Sequence, residues 1–495
     1  MQAIVSIGLF TLVTLVASIE YAPIVRLRNG RVYGMTQQVE NGGKVYFYQG
    51  IPYGQAARFG KPQFAKPWSG IYNATYYREA CPQHGLEQEP FGLGSKTTNI
   101  SEDCLYLNVW RPRRNRFFPT RSVMVFFHGG TYKTGTIFSP LYDARHLANL
   151  GDVIVVSIQY RVGPFGFLYG NTTDAPGNVG LHDQILGLKW IHYNIARFGG
   201  DIAQLECMNV NMSSVIECLR NKTVEQILSV TKGQFLKNQM FLPIYGDELM
   251  PYKPSDALKE GKLNFGVDLL YGVNENEGLQ YANLFVADQN NITLESIKES
   301  IKWMMHYYGD SSYSDIVFER YTSELLPNAS KEMLLATLGN VWEDFIITCP
   351  TVLFAQEYAK KSPGRNFYSY RLAQSKCLNE PTLLSSGDEQ VCLGEDVLYL
   401  FLGLDGKGHS TPITFNPEDR QLSKDMIYAW SAFAKTGHIR ERFNNNRYWI
   451  NAFDRSTILN APITRTFNLN FTDYQMVSNM YNQSCDSFWK DKLFA

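Results

Sequence analysis

The side chains of this 495-residue chain that could serve as nucleophiles, proton carriers or metal ligands are its serines, carboxylates, eight histidines and eight cysteines. Acyl transfer on a sheet-and-helix scaffold needs four parts: a serine on a strained strand-to-helix turn, a histidine to take its proton, an acid to orient that histidine, and backbone N–H groups for the oxyanion. The serine turn is written Gly-x-Ser-x-Gly, and no such pentapeptide occurs anywhere in the chain. Ser213 and Ser214 follow Asn211-Met212 and have no flanking glycines to permit a strained turn, so they read as surface or capping serines. His409, in Gly406-Lys407-Gly408-His409, reads as an exposed histidine rather than a base. Neither Cys-x-x-Cys nor His-Glu-x-x-His is present, so neither a metal nor another cofactor is expected.

The elements that would position such chemistry are legible from apolar runs and turn residues. Val25-Arg26-Leu27-Arg28 meets Arg31-Val32-Tyr33 across Asn29-Gly30, a dipeptide suited to a type I′ hairpin turn. Val123–Phe127 and Val153–Ile158 are β-branched runs too short for core helices and read as buried parallel strands. A helix is expected near residues 140–149, and another where Leu181, Ile185, Leu188, Ile191 and Ile195 recur at helical spacing behind an Asn178 cap. Later strands are expected at 267–273 and 367–371, and an amphipathic helix over 421–435. Strands alternating with helices imply an α/β fold, a mostly parallel sheet covered on both faces.

With a formal charge of -1 and basic residues scattered among acidic ones, the chain offers no basic stripe, which argues against a nucleic-acid partner. Residues 1–18 form an apolar run ending in small residues, read as a secretory signal and too short to span a membrane; residues 19–495 then form one domain with no further span. Sequons at Asn73, Asn99, Asn171, Asn211, Asn221, Asn291, Asn328, Asn470 and Asn482 fit a secreted, extracellular glycoprotein, and an even cysteine count fits disulfides.

An ordered set of strings resembles the type B carboxylesterases and cholinesterases, a branch of the α/β-hydrolases that also includes non-catalytic adhesion proteins. The strings are Tyr48–Tyr53, Glu102–Val109, His128-Gly129-Gly130, Tyr160–Gly163, Gly177–Gln184, Phe198-Gly199-Gly200-Asp201, Gly272–Gly278 and Trp430–Gly437. The resemblance implies an α/β-hydrolase fold in which the serine elbow follows Phe-Gly-Gly-Asp by a strand. Here Cys207 follows Asp201 almost at once, so it implies an internal deletion that removes a central strand, the elbow and the helix behind it. It also places a histidine where Leu393 stands, and leucine neither accepts nor donates a proton. Of the oxyanion glycines, Gly129 and Gly130 remain, while Thr131 stands at the third position. Glu277 matches the family's acid.

The same resemblance implies the disulfides Cys81–Cys104, Cys207–Cys218 and Cys349–Cys485, which leaves Cys377 and Cys392 to each other. Residues 82–103 lack the tryptophan that holds choline in cholinesterases, so choline esters are a poor substrate guess. The resulting expectation is a pseudoenzyme that binds a protein partner or a small apolar ligand or ester. The alternative is a true carboxylic ester hydrolase represented by a shortened transcript.

Overall fold

The computed structural model describes residues 20–39, 42–83, 99–113, 120–201, 242–286, 292–326, 328–373, 394–401, 415–439, 442–443, 447–453, 465–469 and 475–493. The signal segment, Cys207, Ser213, Ser214, Cys218, Cys377, Cys392, Leu393 and His409 lie outside the described residues.

The strands that matter to the site are β1 (Val25–Arg26), β2 (Arg31–Tyr33), β3 (Met35–Gln38), β4 (Lys44–Pro52), β5 (Ile71–Asn73), β6 (Tyr106–Pro112), β7 (Val123–Phe127), β8 (Ile154–Ile158), β9 (Leu269–Asn274), β10 (Phe367–Leu372), β11 (Arg465–Leu469) and β12 (Gln475–Ser478). The principal helices are α1 (Arg145–Gly151), α2 (Val179–Asn194), α3 (Gly278–Phe285), α4 (Leu294–Tyr308), α5 (Lys331–Glu343), α6 (Cys349–Lys360), α7 (Glu395–Phe401) and α8 (Pro417–Thr436).

The strands form two main sheets, one ordered β3-β4-β6-β8-β7 and the other β9-β10-β11-β12. β7 and β8 are parallel, with Met124 opposite Val155, and β9, β10 and β11 are parallel to one another. The outer pairs β3–β4, β4–β6, β6–β8 and β11–β12 are antiparallel. Every residue of β8, Ile-Val-Val-Ser-Ile, is buried, as expected of a strand covered on both faces.

Every residue of β7 is only half-buried, because β7 has one full neighbour among the described residues. On its other side a single parallel bridge joins Arg121 to Gly200: the Arg121 amide donates to the Gly199 carbonyl (2.8 Å), and the Asp201 amide donates to the Arg121 carbonyl (2.9 Å). The Phe-Gly-Gly-Asp string thus bridges the residues just before β7, on the side where the resemblance puts the missing strand. A side chain at Gly200 would collide with Ile195 and Val123, which explains the glycine there. Among the described residues, β7 and β9 do not pair with each other.

Packing crosses the interruption on one face. One buried cluster joins Phe47, Trp110, Leu147 and Val155 of the first sheet's side to Tyr370, Tyr399, Met426 and Trp449 of the second's. The other face of the first sheet is closed by its own cluster, including Tyr48, Val156, Trp190 and Phe198. Helices α3 to α6 enclose a third around Trp342 and the Cys349–Cys485 disulfide. Cys81 and Cys104 are also bonded, as the resemblance implies.

α8 starts on a reciprocal capping box between Asn416 and Asp419, has Pro417 in its first turn, and stops at Gly437, whose φ of 68° a glycine adopts freely. Two sequence expectations fail locally. Asn178 lies at the start of α2 but its side chain does not cap the helix; it bonds Ile244 and Asp247 instead. Asn29 does not take positive φ, so the hairpin turn is not type I′. Its side chain donates to the Ala65 carbonyl and its own carbonyl accepts from the Trp68 amide, tying the turn to the next loop.

Candidate functional site

β7 delivers His128-Gly129-Gly130 to the top of the first sheet. His128 is buried and stacks on Tyr160 with ring centroids 4.3 Å apart, while the Tyr160 hydroxyl donates to the His128 carbonyl (2.8 Å). Burial pushes the His128 imidazole down to about 4, so it is neutral at physiological pH. Its Nδ1 meets the Gly129 carbonyl at 2.9 Å, and its Nε2 has no hydrogen-bond partner. No serine hydroxyl bonds either ring nitrogen among the described residues.

The loop after it is a tight turn in which the Lys133 and Thr134 amides both donate to the Gly130 carbonyl. Gly129 and Gly130 are exposed, and Gly130 has φ 111°. Thr131, at the position where the resemblance expects glycine, has φ 51°, followed by Tyr132 at 61°. Left-handed backbone is costly for a β-branched residue, so the loop keeps a glycine conformation without the glycine.

Two other strings hold this loop. Arg161 and Asp183 form a buried bidentate pair: Nε and Nη2 of Arg161 each donate to an Asp183 oxygen at 2.8 Å, and the Arg161 amide adds a third bond at 3.1 Å. Burial still drives the Asp183 carboxyl above its ordinary range, against the pull of Arg161. A Cβ at Gly180 would sit 2.4 Å from the Arg161 carbonyl, so the first turn of α2 packs directly on that backbone. The Gly163 amide then reaches the Tyr132 carbonyl at 2.7 Å.

The second remnant lies at the end of β9. Glu277 is buried and accepts from the Asn274 amide (3.1 Å), the Asn274 side chain (3.1 Å) and the Gly394 amide (3.3 Å). Gly394 immediately follows Leu393, so the chain passes Glu277 where the resemblance places the histidine. Burial raises the Glu277 carboxyl to about 7, with the nearby charge of Asp396 adding to the rise. The Asn274 side chain also donates to Asp396, which accepts from the Tyr370 hydroxyl as well. Glu343 is raised to about 8 by burial and by its neighbours Asp344 and Glu277.

Sequence reasoning found Glu277 but missed Asp396, Tyr370 and Glu343, and it missed the Arg161–Asp183 pair although both residues lie in quoted strings. Among the described residues, the one group of metal-ligand types lying close together, Asp344, Cys349 and Cys485, has both sulfurs committed to the disulfide.

A family model described as "Carboxylesterase family" matches residues 21–205 and 202–488. The chain belongs to the carboxylesterase family, and its fold is that of the α/β-hydrolases. The two matched stretches meet at residues 202–205, just after the Arg121–Gly200 bridge. Among curated proteins it is similar to a cholinesterase of Mus musculus, 28% identical over 543 aligned positions covering 94% of this chain and 86% of that protein. It is also similar to Acetylcholinesterase-1 of Trittame loki, 26% identical over 552 positions covering 94% of each. Both alignments are longer than the 495-residue chain, so each contains positions that this chain does not fill. No helix among the described residues is long and apolar enough to cross a membrane.

Proposed function

We propose that this chain is an exported, non-catalytic member of the carboxylesterase family that works by binding a protein partner or a small apolar ligand. The observation that carries the reading is the state of Glu277: its oxygens bond Asn274 and Gly394, and the residue before Gly394 is a leucine that cannot relay a proton. The absence of Gly-x-Ser-x-Gly and the strained Thr131 agree with it. Loss of triad members costs many orders of magnitude in rate, and leftover oxyanion contacts do not restore useful turnover. Two formed disulfides and the apolar residues 1–18 support export. The test is to treat the purified full chain with a fluorophosphonate probe and a short-chain aryl ester. No labelled serine and no hydrolysis above the protein-free rate are expected; labelling of one defined serine with turnover overturns the reading.

A second reading is favoured by the meeting of the two family matches at residues 202–205 and by the esterase names of the relatives. In it the chain is a shortened product of an ester hydrolase gene. Sequencing the transcript decides: a recovered Gly-x-Ser-x-Gly insert together with histidine in place of Leu393 establishes it.

A further inference from the structure

The β1–β2 hairpin sets three arginines on its outer face. Val25 and Val32 are register partners and both are buried; Arg26 and Arg31 are the next partners and both are exposed. Leu27 returns to the core and Arg28 is again exposed. Like charges directly opposite each other on neighbouring strands destabilise a sheet.

Several other cations of the chain do have carboxylate partners: Lys44 and Arg113 share Glu20, Arg58 pairs with Glu102, and Arg121 pairs with Asp152. None of Arg26, Arg28 and Arg31 has a carboxylate partner among the described residues. Arg28 instead rests its guanidinium 3.9 Å from the Tyr193 ring centroid. The three arginines line an open groove of about 440 Å³ together with Asn29, Gly30 and Trp68, and among the described residues no acidic residue lines it. The Trp68 indole is fixed there by its N–H bond to the Arg31 carbonyl (3.0 Å) and by Gly30, where any side chain would strike the ring.

We propose that this groove binds an acidic saccharide, its sulfate or carboxylate groups held by Arg26 and Arg31 and its ring resting on the Trp68 wall. Planar guanidinium groups engage oxyanions through two parallel N–H bonds, and a bound anion relieves the repulsion between the facing arginines. Among the described residues the groove is built from the hairpin and the 67–70 loop, and stands apart from the Gly129–Gly130 loop and Glu277.

The test is calorimetric titration of the full chain with a sulfated hexasaccharide, a neutral maltohexaose and inorganic sulfate. Saturable, salt-weakened binding of the sulfated sugar is expected, with inorganic sulfate bound much more weakly and maltohexaose not at all. Arg26→Ser with Arg31→Ser should weaken that binding at least about tenfold, as losing two charge-assisted contacts implies. Without ligand, the same double variant should melt no lower than the parent, since both side chains are exposed. Trp68→Ala should weaken the sugar further than it weakens sulfate. Unchanged affinity in the double variant, binding of maltohexaose, or sulfate bound as tightly as the hexasaccharide overturns the proposal.

Discussion

Asp183→Asn tests how the Gly129–Gly130 loop is held. The wild-type carboxylate accepts three bonds from Arg161, two of them charge-assisted at 2.8 Å, and both side chains are buried. An asparagine of the same shape offers one oxygen and turns an amide toward a guanidinium N–H. The result is a buried cation without a counter-charge, which costs about 3–5 kcal/mol. Replacing both partners, as Arg161→Met with Asp183→Leu, removes the uncompensated charge along with the pair. Because burial already outweighs Arg161 in setting the Asp183 carboxyl, the double replacement should cost far less than the two single changes added together. Urea unfolding followed by tryptophan fluorescence measures all four corners of the cycle. Amide exchange over residues 129–135 should also quicken in Asp183→Asn, because Arg161 lies between Tyr160 and Gly163, which bond that loop. A single-variant cost under about 1 kcal/mol, or strict additivity, would refute the reasoning.

Thr131→Gly should raise stability by about 1 kcal/mol, the relief of left-handed strain less the extra freedom of glycine in the unfolded chain, and urea midpoints check it. Phe401, buried, lies 4.8 Å centroid to centroid from Phe126 of β7; Phe401→Ala should cost about 3–5 kcal/mol and loosen β7 in hydrogen exchange. For Glu277, the folded carboxyl holds its proton to about 7 against an ordinary 4.5. Between those values the unfolded chain ionises first, so stability falls as pH rises, by about 3 kcal/mol in total from this group. Glu277→Gln should flatten that slope across pH 4.5 to 7; an identical slope contradicts the assignment.

The elements legible in advance were those set by local pattern. Val123–Phe127 is a strand, as its short β-branched run, too brief for a core helix, implied, and the amphipathic pattern over 421–435 is the body of α8, whose capping at Asn416 and Gly437 the structure adds. What escaped was set by distant partners. Asn178 reads as a cap until Ile244 and Asp247, more than 60 residues on, claim its side chain. Asp396 and Tyr370 join Glu277's network only because Asn274 bridges β9 to the start of α7. The average charge of the chain likewise conceals three arginines that strand register places on one face.

Among the described residues the strands fall into two main sheets, one ending at β7 and the other starting at β9. Among the described residues no backbone pairing joins β7 to β9, and side chains of one buried cluster join the two sheets. Those contacts lie on one face, where Phe126 meets Phe401 and where Gly151 of α1 packs so closely on Ser431 of α8 that an added Cβ would sit 2.9 Å away. The opposite faces are closed by separate clusters. The Gly129–Gly130 loop belongs to one sheet and Glu277 to the other. The side chains that join the sheets therefore help fix the spacing between that loop and that acid.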